Sequence, residues 1–231
     1  MSLIDNLEWS SEITNLSGKQ KVAQEIATKV KDGDVLGVGS GSTVYVALLA
    51  IAERIKAEKL NVKTIPTSLE ISLFCSKLGI PLTTLFEHKP DWLFDGADEV
   101  DPDNSLIKGR GGAMFKEKLL ISSSPVNYII VDESKTVKKL GTNFPVPIEV
   151  FPQALLHVES ELKRLGASSI ILRPAKGKDA LHRKCRRRAG RAPSVSRPPR
   201  RSPGRGADHR SSGGRRPAPV VELRSILQRH R

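Results

Sequence analysis

Short apolar runs that alternate with helical patterns constrain the fold of this chain more than any other feature. Four segments have the length of strands: the apolar run at residues 35–38, residues 61–65, residues 91–94 and the β-rich run at residues 126–131. Helical patterns precede or separate them at residues 19–31, 44–58, 68–78 and 113–122. This α/β alternation predicts a doubly wound, mostly parallel sheet with helices on both faces. Ligands of such sheets bind at the carboxyl ends of the strands, so the loops there are candidate sites.

The charge distribution divides the chain into two parts near residue 179. The whole chain has a formal net charge of +13. Residues 180–231, with 15 arginines, carry a net charge of +14, which leaves residues 1–179 at −1. The last segment also contains six of the 15 prolines and no aromatic residue. We therefore predict a nearly neutral globular part followed by a disordered basic C-terminal tail.

Three segments follow from these patterns. Residues 1–142 are predicted to form a Rossmann-like domain. Residues 143–179 combine a proline-rich link with one helix and one strand, which predicts the start of a small, incomplete α+β unit. Residues 180–231 form an aberrant segment rich in Arg, Pro and Ser, which is either a genuine tail or the product of a shifted reading frame. With codons chosen freely, residues 180–191 translated one base later can encode a turn followed by a strand.

The composition disfavours secretion and membrane insertion. Two cysteines are too few for a disulfide framework, and no apolar run reaches the roughly 18 residues of a membrane span. The N-terminal residues lack the basic and then apolar order of a signal peptide. We expect a cytoplasmic protein without a membrane partner. Its tail would bind nucleic acid only non-specifically, because it has charge but no aromatic side chains for base stacking.

The first candidate site is the turn at residues 39–43, with the sequence Gly-Ser-Gly-Ser-Thr, between a predicted strand and a predicted helix. Glycines let the backbone approach a ligand, and the free N–H groups at the start of a helix attract phosphate. The glycine spacing matches neither a Walker loop nor a dinucleotide fingerprint. The turn is therefore either a phosphate-binding loop or an ordinary strand–helix connection with a hydroxyl cap.

Two further loops carry charge. Residues 95–101 contain four acidic side chains directly after an apolar strand. Crowded carboxylates raise each other's pKa, which suits acid–base chemistry, while a solvated turn is the alternative and no nearby His completes a metal site. Lys108 lies on a glycine-rich loop and Glu117 on the helix that follows. Together the three loops supply what is needed to move a proton beside the carbonyl of a sugar phosphate.

Four ordered motifs resemble those of the type A ribose-5-phosphate isomerase family. They are GSGST at 39–43, DGADEVD at 95–101, KGRGGAMFKEK at 108–118 and VDESK at 131–135. The resemblance covers about residues 19–179. It implies an enzyme of the pentose phosphate pathway that interconverts ribose 5-phosphate and ribulose 5-phosphate without a metal or organic cofactor, as a homo-oligomer such as a homodimer. In the family the part after residue 179 completes the small domain, and here it departs from that pattern.

The resemblance also implies a role for each site residue. Glu117 would be the base that moves the proton, and Lys108 would stabilise the oxyanion, with Asp95 and Asp98 acting on the sugar hydroxyls and on ring opening. These four are the expected catalytic residues. The expected substrate-binding residues are Lys19, Ser40, Gly41, Ser42, Thr43, Asp95, Gly96, Ala97, Asp98, Lys108, Gly109, Arg110, Gly111 and Lys135. Arg110 stands where a glycine-only version of the loop has glycine.

A second function remains open at this point. Non-enzymatic effector domains that bind sugar phosphates share this general fold and a similar phosphate loop. They need no counterpart of Glu117, and they usually follow a DNA-binding module, for which the 18 residues before Lys19 are too short.

Overall fold

The structure is a computed structural model that describes residues 3–174, 181–187 and 220–222. Its α-helices are α1 (Leu16–Ala27), α2 (Ser42–Glu58), α3 (Leu69–Lys77), α4 (Met114–Ser123) and α5 (Leu155–Arg164). Its strands are β1 (Val35–Val38), β2 (Lys63–Pro66), β3 (Trp92–Asp95), β4 (Glu99–Val100), β5 (Leu106–Ile107), β6 (Asn127–Ile130), β7 (Val146–Ile148), β8 (Ala167–Pro174), β9 (Leu181–Arg187) and β10 (Val220–Glu222). Short 3₁₀ helices lie at Leu3–Asn6, Glu133–Lys135 and Pro152–Ala154.

The main sheet has the strand order β10-β6-β3-β1-β2. Its four strands β6, β3, β1 and β2 are parallel, and β10 pairs with β6 in the antiparallel direction. In register, Gly37 of β1 lies between Ile65 of β2 and Leu93 of β3. The carboxyl ends of β1 and β3 therefore meet at one edge of the sheet. The predicted α/β class with a mostly parallel sheet is confirmed.

Helices cover both faces of this sheet. Leu36 and Val38 of β1 are fully buried in a core cluster with residues of α1, α2 and α3. Val35, which points to the opposite face, packs in a second cluster with Leu120 of α4. Because side chains of a strand alternate between its faces, one short apolar run serves both layers. This explains why β1 is apolar throughout, as expected for a strand that is buried on both sides.

Gly37 lets α4 lie close to the sheet. A Cβ atom at this position would stand 2.9 Å from the Cβ of Leu93 and 3.3 Å from the Cδ2 of Leu120. Both neighbours are buried core residues, so they have little room to yield. The helix that carries Glu117 is thus held against the sheet by an approach that only glycine permits.

Two smaller sheets accompany the main one. Strands β4 and β5 form an antiparallel hairpin, and β7, β9 and β8 form a three-stranded antiparallel sheet in that order. Helix α5 packs beside β8. The division of the chain after residue 142 stays a prediction.

The segment from residue 180 onward differs in part from the sequence prediction. Strands β9 and β10 both fall within the segment that we predicted to be a disordered tail. The physical reason is that a strand ladder uses backbone N–H and C=O groups, which a basic sequence supplies as well as an apolar one. The rest of the predicted tail, and the reading-frame hypothesis that concerns it, lie outside the described residues. Within the described residues, no helix combines the length and the apolar character required to cross a bilayer.

Candidate active site

The three predicted loops meet at the carboxyl ends of β1 and β3. The backbone N–H of Gly39 donates to the carbonyl of Phe94 at 2.9 Å, which brings the turn at residues 39–43 beside the acidic loop that starts at Asp95. Glu117 comes from the first turn of α4 and is only 5% exposed. The parallel register of β1 and β3 therefore aligns groups that are far apart in the chain.

These loops surround one cavity of about 260 Å³. All 15 site residues named from the sequence line it, together with Thr14, which the sequence analysis missed. Thr14 precedes α1 and lies in none of the four motifs, so no local pattern indicated it. The lining residues are Thr14, Lys19, Ser40, Gly41, Ser42, Thr43, Asp95, Gly96, Ala97, Asp98, Lys108, Gly109, Arg110, Gly111, Glu117 and Lys135.

Glu117 is held by one group from the glycine-rich turn and by one from the loop that precedes its own helix. Its Oε1 accepts a hydrogen bond from the Ser40 hydroxyl at 2.5 Å. Its Oε2 lies 3.7 Å from the Nζ of Lys108. A carboxylate fixed in this way is oriented from two sides, and it lines the same cavity as the partly buried ammonium group of Lys108.

Asp95 is completely buried at the floor of the cavity. Its Oδ1 accepts hydrogen bonds from the backbone N–H groups of Ser40 at 3.2 Å and Gly96 at 2.7 Å, and its Oδ2 lies 2.8 Å from the Nζ of Lys108. Burial raises the pKa of Asp95 to about 6; the charge of Lys108 opposes this rise and that of Glu117 adds to it. Asp95 is therefore a carboxyl group that titrates close to neutral pH.

Lys108 is the cation that these two carboxylates share. Burial on its own lowers the pKa of Lys108, but the negative charges of Asp95 and Glu117 outweigh that effect and raise it above the ordinary value. Its ammonium group also donates to the carbonyl of Gly96. Lys108 thus stays protonated, with its position fixed by three oxygen partners.

The acidic cluster at residues 95–101 is divided among separate partners. Asp98 accepts a hydrogen bond from the backbone N–H of Arg110 at 3.0 Å, and Asp101 caps the turn between β4 and β5. Glu99 is fully buried and binds a different loop. Crowding within this cluster was the cause we expected for raised pKa values, and that part of the interpretation is wrong, since burial is the main cause at Asp95.

Gly39 is required by the position of Asp95. A Cβ atom on residue 39 would lie 2.1 Å from the Oδ1 of Asp95 and 2.6 Å from its Cβ. No side chain fits in that space while Asp95 keeps its hydrogen bonds. The first glycine of the Gly-Ser-Gly-Ser-Thr turn therefore serves the neighbouring carboxylate.

The start of α2 lines the same cavity and is suited to an anion. Gly41 has a φ of 94°, which glycine adopts without strain, and it directly precedes α2. The first N–H groups of a helix have no acceptor within it, so those of Ser42 and Thr43 face a ligand or solvent.

Lys19 is only 3% exposed and donates to the carbonyl of Thr14 at 2.6 Å. Burial lowers the pKa of Lys19, and the nearby Asp132 opposes that change.

Cys75 is a reactive residue type that does not line this cavity. Cys75 is fully buried in the core, and burial raises the pKa of its thiol to about 11. Within residues 3–174 and the two described strands beyond them, no three His, Cys, Asp or Glu side chains are grouped as metal ligands. The expectation that the reaction needs no cofactor stays a prediction.

Comparison with known proteins agrees with the family resemblance. The model of the family "Ribose 5-phosphate isomerase A (phosphoriboisomerase A)" matches residues 63–183. Ribose-5-phosphate isomerase A of Methanothermobacter thermautotrophicus is 43% identical over 161 residues, which cover 70% of this chain and 70% of that protein. The same enzyme of Methanocaldococcus jannaschii is 43% identical over 160 residues, covering 69% of this chain and 71% of the relative.

Solved structures lead to the same family. The ribose 5-phosphate isomerase A structure of M. jannaschii superposes with a TM-score of 0.70 at 38% identity, covering 74% of this chain and 80% of its own. That of the Plasmodium falciparum enzyme has a TM-score of 0.68 at 37% identity, covering 74% and 78%. Sequence and fold thus agree, and the chain belongs to the ribose-5-phosphate isomerase A family.

Proposed function

We propose that this chain interconverts ribose 5-phosphate and ribulose 5-phosphate, with Glu117 as the base that carries the proton. The observation that supports this most directly is the position of Glu117. Its carboxylate accepts a hydrogen bond from Ser40 of the glycine-rich turn and lies beside Lys108. A base, a cation and a helix N-terminus around one cavity provide the three things an aldose–ketose isomerase needs: proton transfer, oxyanion stabilisation and phosphate binding.

The phosphate ester is proposed to bind at the start of α2. The N–H groups and hydroxyls of Ser42 and Thr43 supply donors, and Lys19 and Lys135 supply positive charge on the same cavity. Gly41 leaves the backbone open there, since nothing lies within 4 Å of where its Cβ would be. Phosphate binding at the start of α2 anchors the substrate by a group that does not react. The reacting carbons C1 and C2 are then left to face Glu117.

The proton transfer then runs between two neighbouring carbons. With the aldose open, Glu117 removes the proton from C2, and the electron pair moves onto the C1 carbonyl oxygen to give an enediolate. Lys108 and the N–H groups of the loop at residues 109–111 stabilise the negative oxygen. A proton passes from the hydroxyl on C2 to the oxygen on C1, Glu117 returns its own proton to C1, and the carbonyl of the ketose forms at C2. A weakly acidic C–H group makes this oxyanion stabilisation the main requirement for catalysis.

Asp95 and Asp98 are proposed to bind the sugar hydroxyls and to assist ring opening. A carboxyl group with a pKa of about 6 can both accept and donate a proton near neutral pH, which is the property that ring opening needs. Asp98 is already oriented by the hydrogen bond from the backbone N–H of Arg110, and it lines the cavity.

A ligand of a similar protein supports this arrangement. A D-ribose-5-phosphate isomerase solved in complex with phospho-erythronic acid has a TM-score of 0.69 and 33% identity to this chain, covering 74% of it. That ligand combines a phosphate ester with a carboxylate at the other end of a short polyol. A cavity that combines an anion site at the start of α2 with the fixed cation Lys108 fits a molecule of this kind.

The deciding experiment is a direct isomerisation assay on the purified full chain, with ribose 5-phosphate as substrate and ribulose 5-phosphate as the product measured. We expect turnover in both directions and none with ribose. Binding of ribose 5-phosphate without turnover by a folded chain would instead support the non-enzymatic effector domain. The family assignment does not favour that alternative.

Three further expectations from the sequence stay predictions. The family resemblance supports a homo-oligomer, such as a homodimer, and a cytoplasmic location in the pentose phosphate pathway. The 15 arginines after residue 179 support only a charge-driven, non-specific contact with nucleic acid. Gel filtration with light scattering tests the first, and binding of DNA at low and at high salt tests the last.

A further inference from the structure

Glu99 has no place in the proposed mechanism, although it is fully buried and charged groups are rarely buried without a specific partner. It does not line the cavity. Its carboxylate accepts three backbone hydrogen bonds instead: Gly141 N–H to Oε2 at 2.6 Å, Asn143 N–H to Oε1 at 2.5 Å and Phe144 N–H to Oε1 at 2.9 Å. One side chain therefore fixes the backbone of residues 141–144.

The loop that Glu99 holds presents the ring of Phe144 to two cations. The guanidinium carbon of Arg110 lies 4.1 Å from the ring centroid, and the Nζ of Lys135 lies 6.0 Å from it. Both distances are within the range of cation–π attraction. Arg110 and Lys135 line the substrate cavity, whereas Phe144 does not. The ring thus lies behind two positively charged residues of the cavity wall.

We infer that Glu99 and Phe144 are positioning residues that hold Arg110 and Lys135 as two fixed cations for the phosphorylated substrate. The negative face of the ring attracts both charges and offsets their mutual repulsion, and Glu99 holds the ring in place. This inference rests on the proposed function for the identity of the substrate. It adds a source of affinity that neither the glycine-rich turn nor the catalytic carboxylates provide.

The test substitutes Phe144 while keeping its bulk. In Phe144→Leu the side chain stays apolar but loses its π face. We expect a KM for ribose 5-phosphate that is about 3- to 10-fold higher, with kcat changed by less than about twofold, because Glu117 and Lys108 are untouched. The dissociation constant of inorganic phosphate, measured by calorimetry, should rise by a similar factor. Phe144→Tyr keeps the ring, so its KM and its dissociation constant for phosphate should both equal those of the wild type. Phe151→Leu, at an exposed phenylalanine, is the matched control.

Glu99→Gln tests the second member of the pair. An amide can replace only part of the acceptor capacity of the carboxylate, so the loop at residues 141–144 should loosen and KM should rise in the same direction. The double variant with Phe144→Leu should be no worse than the poorer single variant, because both changes act through the same two cations.

Several outcomes would overturn this inference. They are an unchanged KM and phosphate affinity in folded Phe144→Leu, equal losses in Phe144→Leu and Phe144→Tyr, or a fall in kcat with KM constant. Phosphate binding needs no turnover, so the calorimetric comparison decides this inference even if the chain does not isomerise ribose 5-phosphate. That last result would remove the proposed function alone.

Discussion

The hydroxyl oxygen of Ser40 lies 2.5 Å from a carboxylate oxygen of Glu117, although 77 residues separate them in the chain. This bond joins the glycine-rich turn after β1 to the first turn of α4. The phosphate end and the proton-transfer end of the proposed site are therefore connected directly.

Replacing Glu117 by glutamine should abolish most turnover while leaving binding intact. The amide keeps the shape of the side chain but cannot accept the proton, so we expect kcat to fall by about 10²- to 10⁴-fold. Steady-state kinetics and calorimetry with ribose 5-phosphate measure the two effects. Lys118→Gln, at the next residue of α4, is the control and should behave like the wild type. Near-normal kcat in Glu117→Gln would show that another group is the base.

Ser40→Ala should lower kcat by about tenfold. The change removes the hydrogen bond to the charged Glu117, and bonds of this kind contribute about 1.5–3 kcal/mol. The backbone N–H of Ser40 that binds Asp95 remains, so the cavity floor should keep its structure. Kinetics at a fixed pH together with a thermal melt test this. Unchanged kcat with an unchanged melting temperature would mean that the bond is irrelevant to catalysis.

Gly39→Ala should destabilise the fold, whereas Gly96→Ala should not. The added methyl group at residue 39 would overlap the Asp95 carboxylate at 2.1 Å, which predicts a cost of about 1–3 kcal/mol. At residue 96 the nearest heavy atom is the carbonyl oxygen of Ile130, at 3.9 Å. Chemical denaturation of both variants measures the difference. Equal stabilities would contradict the tight contact between Gly39 and Asp95.

The activity should fall as the pH drops through about 6. Asp95 has a pKa of about 6, above its ordinary value of 3.8, so it becomes protonated in that range and Lys108 loses a negative partner. A profile of kcat/KM against pH should show this acid limb, and Asp95→Asn should lack the inflection near pH 6. An identical inflection in that variant would assign it to another group.

The raised pKa of Asp95 also determines how the stability of the fold depends on pH. The folded state binds the proton of Asp95 more tightly than the unfolded state does. The stability that this supplies is fully present below about pH 4 and is lost as the pH rises through 6. Denaturation of the wild type and Asp95→Asn across this range should show that their difference depends on pH.

The coding DNA around codon 180 offers a test that needs no protein. If the reading frame is shifted there, sequencing an independent clone should reveal one inserted or deleted base, and the corrected frame should encode a turn followed by a strand. The corrected chain should then melt at a higher temperature, because strands of the smaller sheet would be completed. An intact frame in the independent clone would establish the basic segment as genuine.

The parallel sheet could be predicted because β1, β3 and β6 are short apolar runs between helical patterns. Periodicity reports burial, and burial on both faces is what a parallel sheet imposes. The boundaries were less accurate: α1 begins at Leu16 rather than at residue 19, and β2 begins at Lys63 rather than at residue 61. Caps and strand ends depend on tertiary contacts that periodicity does not report.

The site was predicted from motifs, and its internal connections were not. Nothing local distinguishes Glu99 from Asp98, yet one carboxylate binds a loop more than 40 residues away and the other faces the cavity. Thr14 was missed for the same reason, since it reaches the cavity through the packing of α1. Residue types identify the chemistry, but only the folded chain assigns partners to side chains of the same kind.

Helix α4 carries Glu117 and, one turn later, Leu120, which packs with Val35, Ile65 and Leu93 under the sheet. The proposed base is thus attached to the hydrophobic interior rather than to a loop. Substitutions outside the cavity, at Gly37 or Leu93 for example, would shift this helix and with it the position of the Glu117 carboxylate, and so change kcat. When such an enzyme adapts to a new temperature, substitutions in its core would therefore change both its rate and its rigidity.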